Sequence, residues 1–212
     1  AMDKIRAKQI WLQMNLATPD YELLSAQTDW QAVAHRLGLC VVKPVSGGSS
    51  LGIAKASNVS ELLSAYEAAL RVGARVMAES CIDGPEYTIG VLDGELLPSI
   101  ELVARGELFD FEAKYLDGAT SITLPAPIAE AIAAQIQSKA VEAFISVGCS
   151  GLARVDFFLT PNGEVIINEL NTMPGFTPIS MYPRMWAETG LDYPALVDAL
   201  VQDALRRGVG LR

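Results

Sequence analysis

The sequence predicts an α+β fold, because stretches with the helical spacing of apolar residues are interleaved with short apolar runs joined by tight turns. Two of these turns, Asp93-Gly94 and Pro161-Asn162-Gly163, lie between runs rich in β-branched and aromatic residues, which is the pattern of a β-hairpin. Half of the 212 residues are hydrophobic, so a sizeable core is available to one large domain or to two small ones.

Three helices are predicted in the first seventy or so residues, over 4–14, 30–37 and 58–71. Asp3 can cap the first of them, and Asn58 with Glu61 forms the N-cap and N3 pair of the third. The apolar residues expected near one face of the first helix are Ile5, Ile10, Trp11 and Met14.

Strands are predicted where short apolar runs are bounded by Gly, Pro or Asp. In the first half of the chain they span 39–44, 76–82, 87–92 and 96–102. A flexible glycine-rich loop, Ser46 to Gly52, follows the first strand. The apolar residues of 104–126 have no consistent period, and we interpret this stretch as one long loop over a functional site. A helix over 128–148, a hairpin from 151 to 171 and a helix over 192–205 complete the chain.

The hairpin from 151 to 171 carries the residues with the clearest chemistry. Arg154 and Asp156 are two apart on its first strand, and Glu169 and Asn171 are two apart on its second, so each pair shares one face. In register, a guanidinium group and three oxygen ligands would converge on one patch. Mg²⁺ and Mn²⁺ prefer oxygen ligands of this kind, and an Arg beside them can hold a phosphoryl group or an oxyanion.

The alternative interpretation is an ordinary solvated hairpin face, where most charged strand residues belong. Against it, the polar residues interrupt the apolar runs Val-Asp-Phe-Phe-Leu and Val-Ile-Ile-Asn-Glu-Leu. Charges within such runs are usually paired or metal-bound, because burying them alone is unfavourable.

Composition limits the function further. The formal charge of −9 argues against a general nucleic-acid surface, although local lysines and a metal ion can still accommodate an anionic nucleotide. No apolar run approaches the roughly 20 residues that span a bilayer, and no secretory signal is visible. The three cysteines, Cys40, Cys81 and Cys149, lack metal spacing and indicate reduced thiols in a cytoplasmic protein. His35, the only histidine, is interpreted as structural.

Arg-x-Asp followed by Asn-Glu-x-Asn-Thr-x-Pro-Gly resembles the metal-binding signature of the ATP-grasp ligases and, more narrowly, of the D-alanine–D-alanine ligases. Further stretches agree with this resemblance in order and spacing, from about residue 2 to about residue 205. They are Met2-Asp-Lys-Ile-Arg, Val42-Lys-Pro with Gly48-Ser-Ser-Leu-Gly, Gly84-Pro-Glu-Tyr-Thr and Glu112-Ala-Lys-Tyr.

The resemblance implies two α+β subdomains with the nucleotide between them. We expect a central subdomain at 16–102, with the glycine-rich loop and an adenine hinge. The C-terminal subdomain would comprise 1–15 and 103–212, with the metal and D-alanine sites. The N-terminal domain of the family, which contributes to the site for the first D-alanine, has no counterpart here, as in a fragment of a longer chain. A monomer and a homodimer both stay open.

For the nucleotide, the resemblance implies Lys43 and Lys114 on the phosphates and the loop from Ser46 to Gly52 closing over them. It is not a Walker loop, because the lysine precedes the glycines. The segment from Glu79 through Cys81 to Ile82 would be the adenine hinge, reading the base through its backbone, and Glu86 would bind the ribose. The full set of nucleotide-binding residues expected by resemblance is Lys4, Lys43, Ser49, Ser50, Glu79, Cys81, Ile82, Glu86 and Lys114.

For the reaction, the resemblance implies that ATP phosphorylates one D-alanine and that the amine of a second attacks the acylphosphate, giving D-alanyl-D-alanine for peptidoglycan precursors. Two Mg²⁺ or Mn²⁺ ions would be held by Asp156, Glu169 and Asn171. The residues expected around the reacting groups are Arg154 and Gly175 at the oxyanion, Ser180 and Met181 at the second carboxylate, Tyr115 near the second D-alanine, and Ser49 orienting that tyrosine. Two alternatives remain: an ATP- and Mg²⁺-binding fragment without ligase activity, or another ATP-grasp carboxylate–amine ligase.

Overall fold

The protein is described by a computed structural model over residues 2–48, 51–93, 95–96, 100–104 and 120–208. Six helices and ten strands lie in these ranges. The helices are α1 (Lys4–Gln13), α2 (Trp30–Leu37), α3 (Val59–Leu70), α4 (Glu130–Ser146), α5 (Met181–Glu188) and α6 (Tyr193–Arg207). The strands are β1 (Tyr21–Leu24), β2 (Cys40–Pro44), β3 (Ala54–Ala56), β4 (Val76–Ser80), β5 (Glu86–Leu92), β6 (Glu95–Leu96), β7 (Ile100–Ala104), β8 (Thr120–Thr123), β9 (Leu152–Leu159) and β10 (Val165–Asn171).

The strands form two antiparallel sheets, so the predicted α+β class is confirmed. The first sheet has four strands in the order β1-β4-β2-β3. One of its faces is apolar and packs against α2 and α3, through residues such as Val42, Ala78, Val33 and Leu62. Because strand side chains alternate, Lys43 and Glu79 lie on the opposite face, towards α1.

The second sheet has six strands, in the order β10-β9-β5-β7-β8 with β6 paired to β5. Its apolar face joins α1 and α4 in the largest hydrophobic cluster, which contains Ile89, Val155, Phe157, Ile136 and Trp11. A smaller cluster beneath α5 and α6 is centred on side chains such as Tyr182, Met185 and Leu196. This smaller cluster includes Leu92, which alternates along β5 with Val91 of the larger cluster, so it covers one end of the opposite face of the sheet.

The helical predictions are confirmed in position. The N-caps are as expected, since the carboxylate of Asp3 accepts from the N–H of Arg6 and the side chain of Asn58 accepts from the N–H of Glu61. The prediction of the apolar face of α1 was wrong at Met14, which is exposed, and it did not include Lys8, which is buried.

Two short strands, β1 and β3, were not predicted. The prediction of one long loop over 104–126 was wrong at its end, because Thr120–Thr123 forms β8 and pairs with β7. Residues 105–119 of that stretch lie outside the described residues. The expected subdomain boundary between 102 and 103 falls within β7, whereas a division by sheets would fall between Ser80 and Glu86. The division into subdomains stays a prediction.

Candidate functional site

The second sheet presents a polar face opposite its core face. Cross-strand pairing aligns Thr88 with Asp156, Asp156 with Glu169, and Arg154 with Asn171. Directly paired side chains point to the same side of a sheet, so these residues share one surface with Glu86. The expected convergence of Arg154, Asp156, Glu169 and Asn171 is therefore present in the backbone register. We call this surface the polar sheet face.

A β-bulge in β10 produces this convergence. Ile167 pairs with Phe157, whereas Glu169 pairs with Asp156, so Asn168 is the extra residue. With regular pairing from the turn onward, Glu169 would lie opposite Val155, on the core side. The one-residue shift moves Glu169 to the side of Asp156 and returns Leu170 to the core.

Arg154 and Asp156 form a buried ion pair at the centre of the polar sheet face. Arg154 Nε donates to Asp156 Oδ1 at 2.8 Å, and Nη2 donates to Oδ2 at 2.7 Å. The hydroxyl of Thr88 also donates to Asp156 Oδ1. Burial lowers the pKa of Arg154, but Asp156 and then Glu169 outweigh it, so the net shift of this pKa is upward. The guanidinium group is fixed in place and permanently charged.

The donor set fits a hard divalent cation only in combination with other oxygens. Within the described residues, no three His, Cys, Asp or Glu side chains converge as a ready metal cluster. Asp156 already binds Arg154 and Thr88, whereas Glu169 is partly exposed and lies 3.8 Å from the Arg154 guanidinium. Asn171 Oδ1 accepts from the N–H of Met173 at 3.4 Å. Two carboxylates and an amide suit Mg²⁺ or Mn²⁺ when phosphate and water complete the shell.

A lysine cluster, defined here as Lys4, Lys8, Lys43 and Glu79, lies between the first sheet and α1. Lys43 Nζ donates to Glu79 Oε1, and Lys8 Nζ forms an ion pair with Glu79 Oε2 at 3.0 Å. Burial raises the pKa of Glu79, but the charges of Lys43 and Lys8 outweigh it and hold this pKa below its ordinary value of 4.5. The cluster has three cations around one carboxylate.

The lysine cluster and the polar sheet face are electrostatically coupled. Burial lowers the pKa of Lys4, while the charge of Glu169 on the polar sheet face opposes this shift more than any other neighbour does. Glu169 acts on Lys8 in the same sense. Lys4 also donates to the carbonyl of Gly47 in the glycine-rich loop, at 2.9 Å. Lysines of α1 thus lie near both the glycine-rich loop and the oxygen ligands of the second sheet.

Lys8 was not among the residues singled out from the sequence. It is 1 % exposed, although lysine is among the residues least often buried. Its Nζ donates to the hydroxyl of Thr18 at 2.6 Å, and this hydroxyl donates to the carbonyl of Ile167 at 3.0 Å. The spacing of three residues from Ile5 to Lys8 and from Lys8 to Trp11 was the available signal, because it puts Lys8 on the apolar stripe of α1.

The predicted adenine hinge, Glu79 to Ile82, consists of the last two residues of β4 and the two residues that follow it. Cys81 and Ile82 are partly buried, and the N–H of Cys81 donates to the carbonyl of Leu39 at 2.9 Å. Glu86 begins β5 and accepts from the amide of Asn168 at 3.4 Å. Glu79, in contrast, points into the lysine cluster. Whether these residues contact a nucleotide stays a prediction.

The expected substrate-binding residues after β10 lie in a loop that leads to α5. Gly175 is exposed, and Ser180 is the buried residue before α5, which begins at Met181. The Ser180 hydroxyl accepts from the N–H of Thr177 at 3.1 Å. Four further predicted site residues lie outside the described residues, namely Ser49, Ser50, Lys114 and Tyr115.

Comparisons with known proteins agree on one family. The model of the D-Ala–D-Ala ligase C-terminus matches residues 10–202. The D-alanine–D-alanine ligase of Mycobacterium ulcerans is 45% identical over an alignment of 225 residues that covers 100% of this chain and 60% of the relative. The chain thus spans about three-fifths of the length of this relative.

Solved structures agree with the sequence comparison. The VanG D-Ala:D-Ser ligase of Enterococcus faecalis superimposes with a TM-score of 0.85 and 33% identity, covering 95% of this chain and 61% of that one. The D-alanine–D-alanine ligase of Bacillus anthracis complexed with ATP gives a TM-score of 0.84 at 27% identity, covering 97% of this chain and 66% of that one.

Proposed function

This chain belongs to the D-alanine–D-alanine ligase family, and on that basis we propose that it is the ATP- and metal-binding part of an enzyme that joins two D-alanines with ATP. The supporting observation is the meeting of two complementary surfaces. The lysine cluster offers cations for polyphosphate, and the polar sheet face offers carboxylate and amide oxygens for a divalent ion. A metal-bound nucleoside triphosphate satisfies both.

Each surface has a distinct task in this proposal. Lys43 and Lys4 hold the phosphates from the side of the first sheet, while the glycine-rich loop approaches them closely. Asp156, Glu169 and Asn171 hold two Mg²⁺ or Mn²⁺ ions from the side of the second sheet. Such ions, when bound, neutralise charge on the phosphates during transfer.

Arg154 is suited to the charge that develops during the reaction. In the proposed sequence, the γ-phosphoryl group of ATP passes to the carboxylate of the first D-alanine, and ADP is released. The amine of the second D-alanine then attacks the acylphosphate carbon and expels phosphate. Arg154 and the N–H of Gly175 would stabilise the oxyanion of that tetrahedral intermediate. Ser180 and Met181 would hold the second carboxylate.

The share of the relatives that this chain covers favours a second candidate, an ATP- and Mg²⁺-binding fragment without ligase activity. About two-fifths of the Mycobacterium ulcerans ligase has no counterpart in the alignment. Positioning two reactants can supply roughly 7–11 kcal/mol of a barrier, so a first D-alanine site that is incomplete would slow the reaction by several decades. Residues 1–212 are therefore expected to bind ATP and to form little dipeptide.

Calorimetry and a product assay test both candidates on the chain itself. ATP is titrated with and without Mg²⁺, with adenosine as the control ligand, and dipeptide formation is measured at saturating D-alanine. Absence of ATP binding would refute the nucleotide site. Rapid D-alanyl-D-alanine formation would refute the fragment candidate.

A panel of acceptors tests the third interpretation, an ATP-grasp ligase with other substrates. D-serine belongs in this panel because the structural relative from Enterococcus faecalis is a D-Ala:D-Ser ligase. ADP release is measured with D-alanine and each acceptor in turn. Turnover with an unrelated acid and amine, and none with D-alanine, would contradict the proposed substrate class.

A further inference from the structure

Lys8 is a buried cation whose position is not explained by packing alone. It lies on α1 among Ile5, Ala7 and Trp11, all of them buried apolar residues. Burial lowers the pKa of its ammonium group to about 8, although Glu79 acts to raise this pKa. An apolar side chain of similar length would fill this position without the desolvation of a charge. The role of Lys8 therefore depends on the contacts that its ammonium group makes.

Lys8 shares the carboxylate of Glu79 with Lys43. The two lysines bind different oxygens, Lys43 on Oε1 and Lys8 on Oε2. If Glu79 and Lys43 were alone, each would neutralise the other, and an incoming phosphate would have to draw Lys43 away from a buried carboxylate. Breaking a buried ion pair is strongly unfavourable when one charge is left without a partner.

We infer that Lys8 is a positioning residue for nucleotide binding, which keeps Glu79 neutralised so that Lys43 can turn its ammonium group to the phosphates. This inference rests on the proposed function, because it assigns Lys43 to ATP. Lys8 lies 3.0 Å from Glu79 Oε2, whereas Lys43 binds Oε1, so the Lys8 ion pair does not depend on the oxygen that Lys43 would leave. The group of two lysines and one carboxylate then keeps a net positive charge for the anion.

The hydrogen bonds of Lys8 also join the two sheets. Thr18 links its ammonium group to the carbonyl of Ile167, and the N–H of Ile167 donates to the carbonyl of Ala17 at 2.8 Å. Ile167 is the residue before the bulge that directs Glu169 to the polar sheet face. Lys8 thus contacts Glu79 in β4 and, through one hydroxyl, the start of the expected metal-binding segment in β10.

The test compares the loss of Lys8 with and without the charge of Glu79. ATP and adenosine affinities are measured by calorimetry for the parent chain, Lys8→Met, Glu79→Gln and the double variant. Arg6→Met is the matched control, because it removes a cation from the exposed side of the same helix. Near-UV circular dichroism checks the folding of every variant.

Lys8→Met is expected to weaken ATP binding at least about tenfold, the effect of losing a charge-assisted hydrogen bond, and to leave adenosine binding unchanged. In the Glu79→Gln background, the same substitution should change ATP affinity by less than about twofold, since the carboxylate it serves is gone. If Lys8→Met alone does not fold, the double variant still tests the inference, because it has no uncompensated carboxylate and a further loss of ATP affinity relative to Glu79→Gln would overturn it.

Three results would overturn the inference. They are equal losses for ATP and adenosine, an ATP affinity of Lys8→Met equal to that of the parent, and a further loss in the double variant relative to Glu79→Gln. Failure of the parent chain to bind ATP would refute the proposed function, and the inference with it. ATP binding by the parent together with any of the three results would refute the inference alone.

Discussion

Arg154→Met is expected to destabilise the chain strongly, even without any ligand. The side chains of Arg154 and Asp156 are 7% and 4% exposed, and two hydrogen bonds of 2.8 and 2.7 Å join them. Removing the guanidinium group leaves a buried carboxylate without that counter-ion, which destabilises proteins by about 3–5 kcal/mol. For a chain of this length, 1 kcal/mol lowers Tm by about 2–4 °C, so a fall of about 6–20 °C is expected.

Thermal unfolding at pH 7, without nucleotide or metal, measures this effect. The matched control is Arg6→Met, because the side chains of Arg6 and Asp3 are 81% and 23% exposed and lie 3.8 Å apart. A surface ion pair of this kind contributes about 0–1 kcal/mol, so the control should unfold close to the parent. The double variant Arg154→Met/Asp156→Asn removes both charges and should recover much of the lost stability. A Tm for Arg154→Met equal to that of Arg6→Met would refute the reasoning.

Four further outcomes are expected. Lys43→Met should weaken ATP binding much more than adenosine binding in calorimetry, because the proposed function places its charge on the phosphates. Equal losses for the two ligands would refute that placement. Glu169→Gln should remove most of the Mg²⁺-dependent gain in ATP affinity, and an unchanged Mg²⁺ dependence would contradict its role as a ligand. Gly84→Ala should destabilise the chain by more than the roughly 1–3 kcal/mol that an unfavourable backbone conformation costs, since its Cβ would lie 1.9 Å from the carbonyl oxygen of Leu159. Gly163 also has a positive φ, but the space around its Cβ position is open, so Gly163→Ala should lower the free energy of unfolding in urea by less. The pKa of Glu79 is lowered, so the stability that its carboxylate provides is present above pH 4.5 and is lost as the pH falls through the pKa of the folded state. Glu79→Gln should therefore reduce the fall of Tm with decreasing pH at acidic pH.

Much of the fold could be predicted because its strongest signals are local. The N-caps at Asp3 and Asn58 and the turn at Asn162-Gly163 depend only on nearby residues. The strands β1 and β3 have four and three residues, too few to show a period, and β1 is held by its pairing with β4. Pairing across long sequence separations has no local signature, and β8 was missed for the same reason.

The residues that form the polar sheet face could be predicted from the sequence, but their register could not. The alternation of two residues gave the pairs Arg154 with Asp156 and Glu169 with Asn171, yet their convergence required the bulge. A signal did exist in the sequence: the polar residues Asn168 and Glu169 are adjacent, between apolar residues that both face the core. That break in the alternation marks an extra residue. The burial of Lys8 had a comparable signal on α1. Its partners, Glu79 and Thr18, come from distant segments and could not be read from spacing.

The bulge at Asn168 also sets a requirement for protein design. Copying the four polar residues at the same positions onto a regular hairpin with the same turn would not reproduce the site. Glu169 and Asn171 would then lie on the opposite side of the sheet from Arg154 and Asp156, among the apolar side chains. A hairpin designed to carry this site must therefore include Asn168 as the additional residue. The feature to copy is the bulged strand and not only the four polar residues.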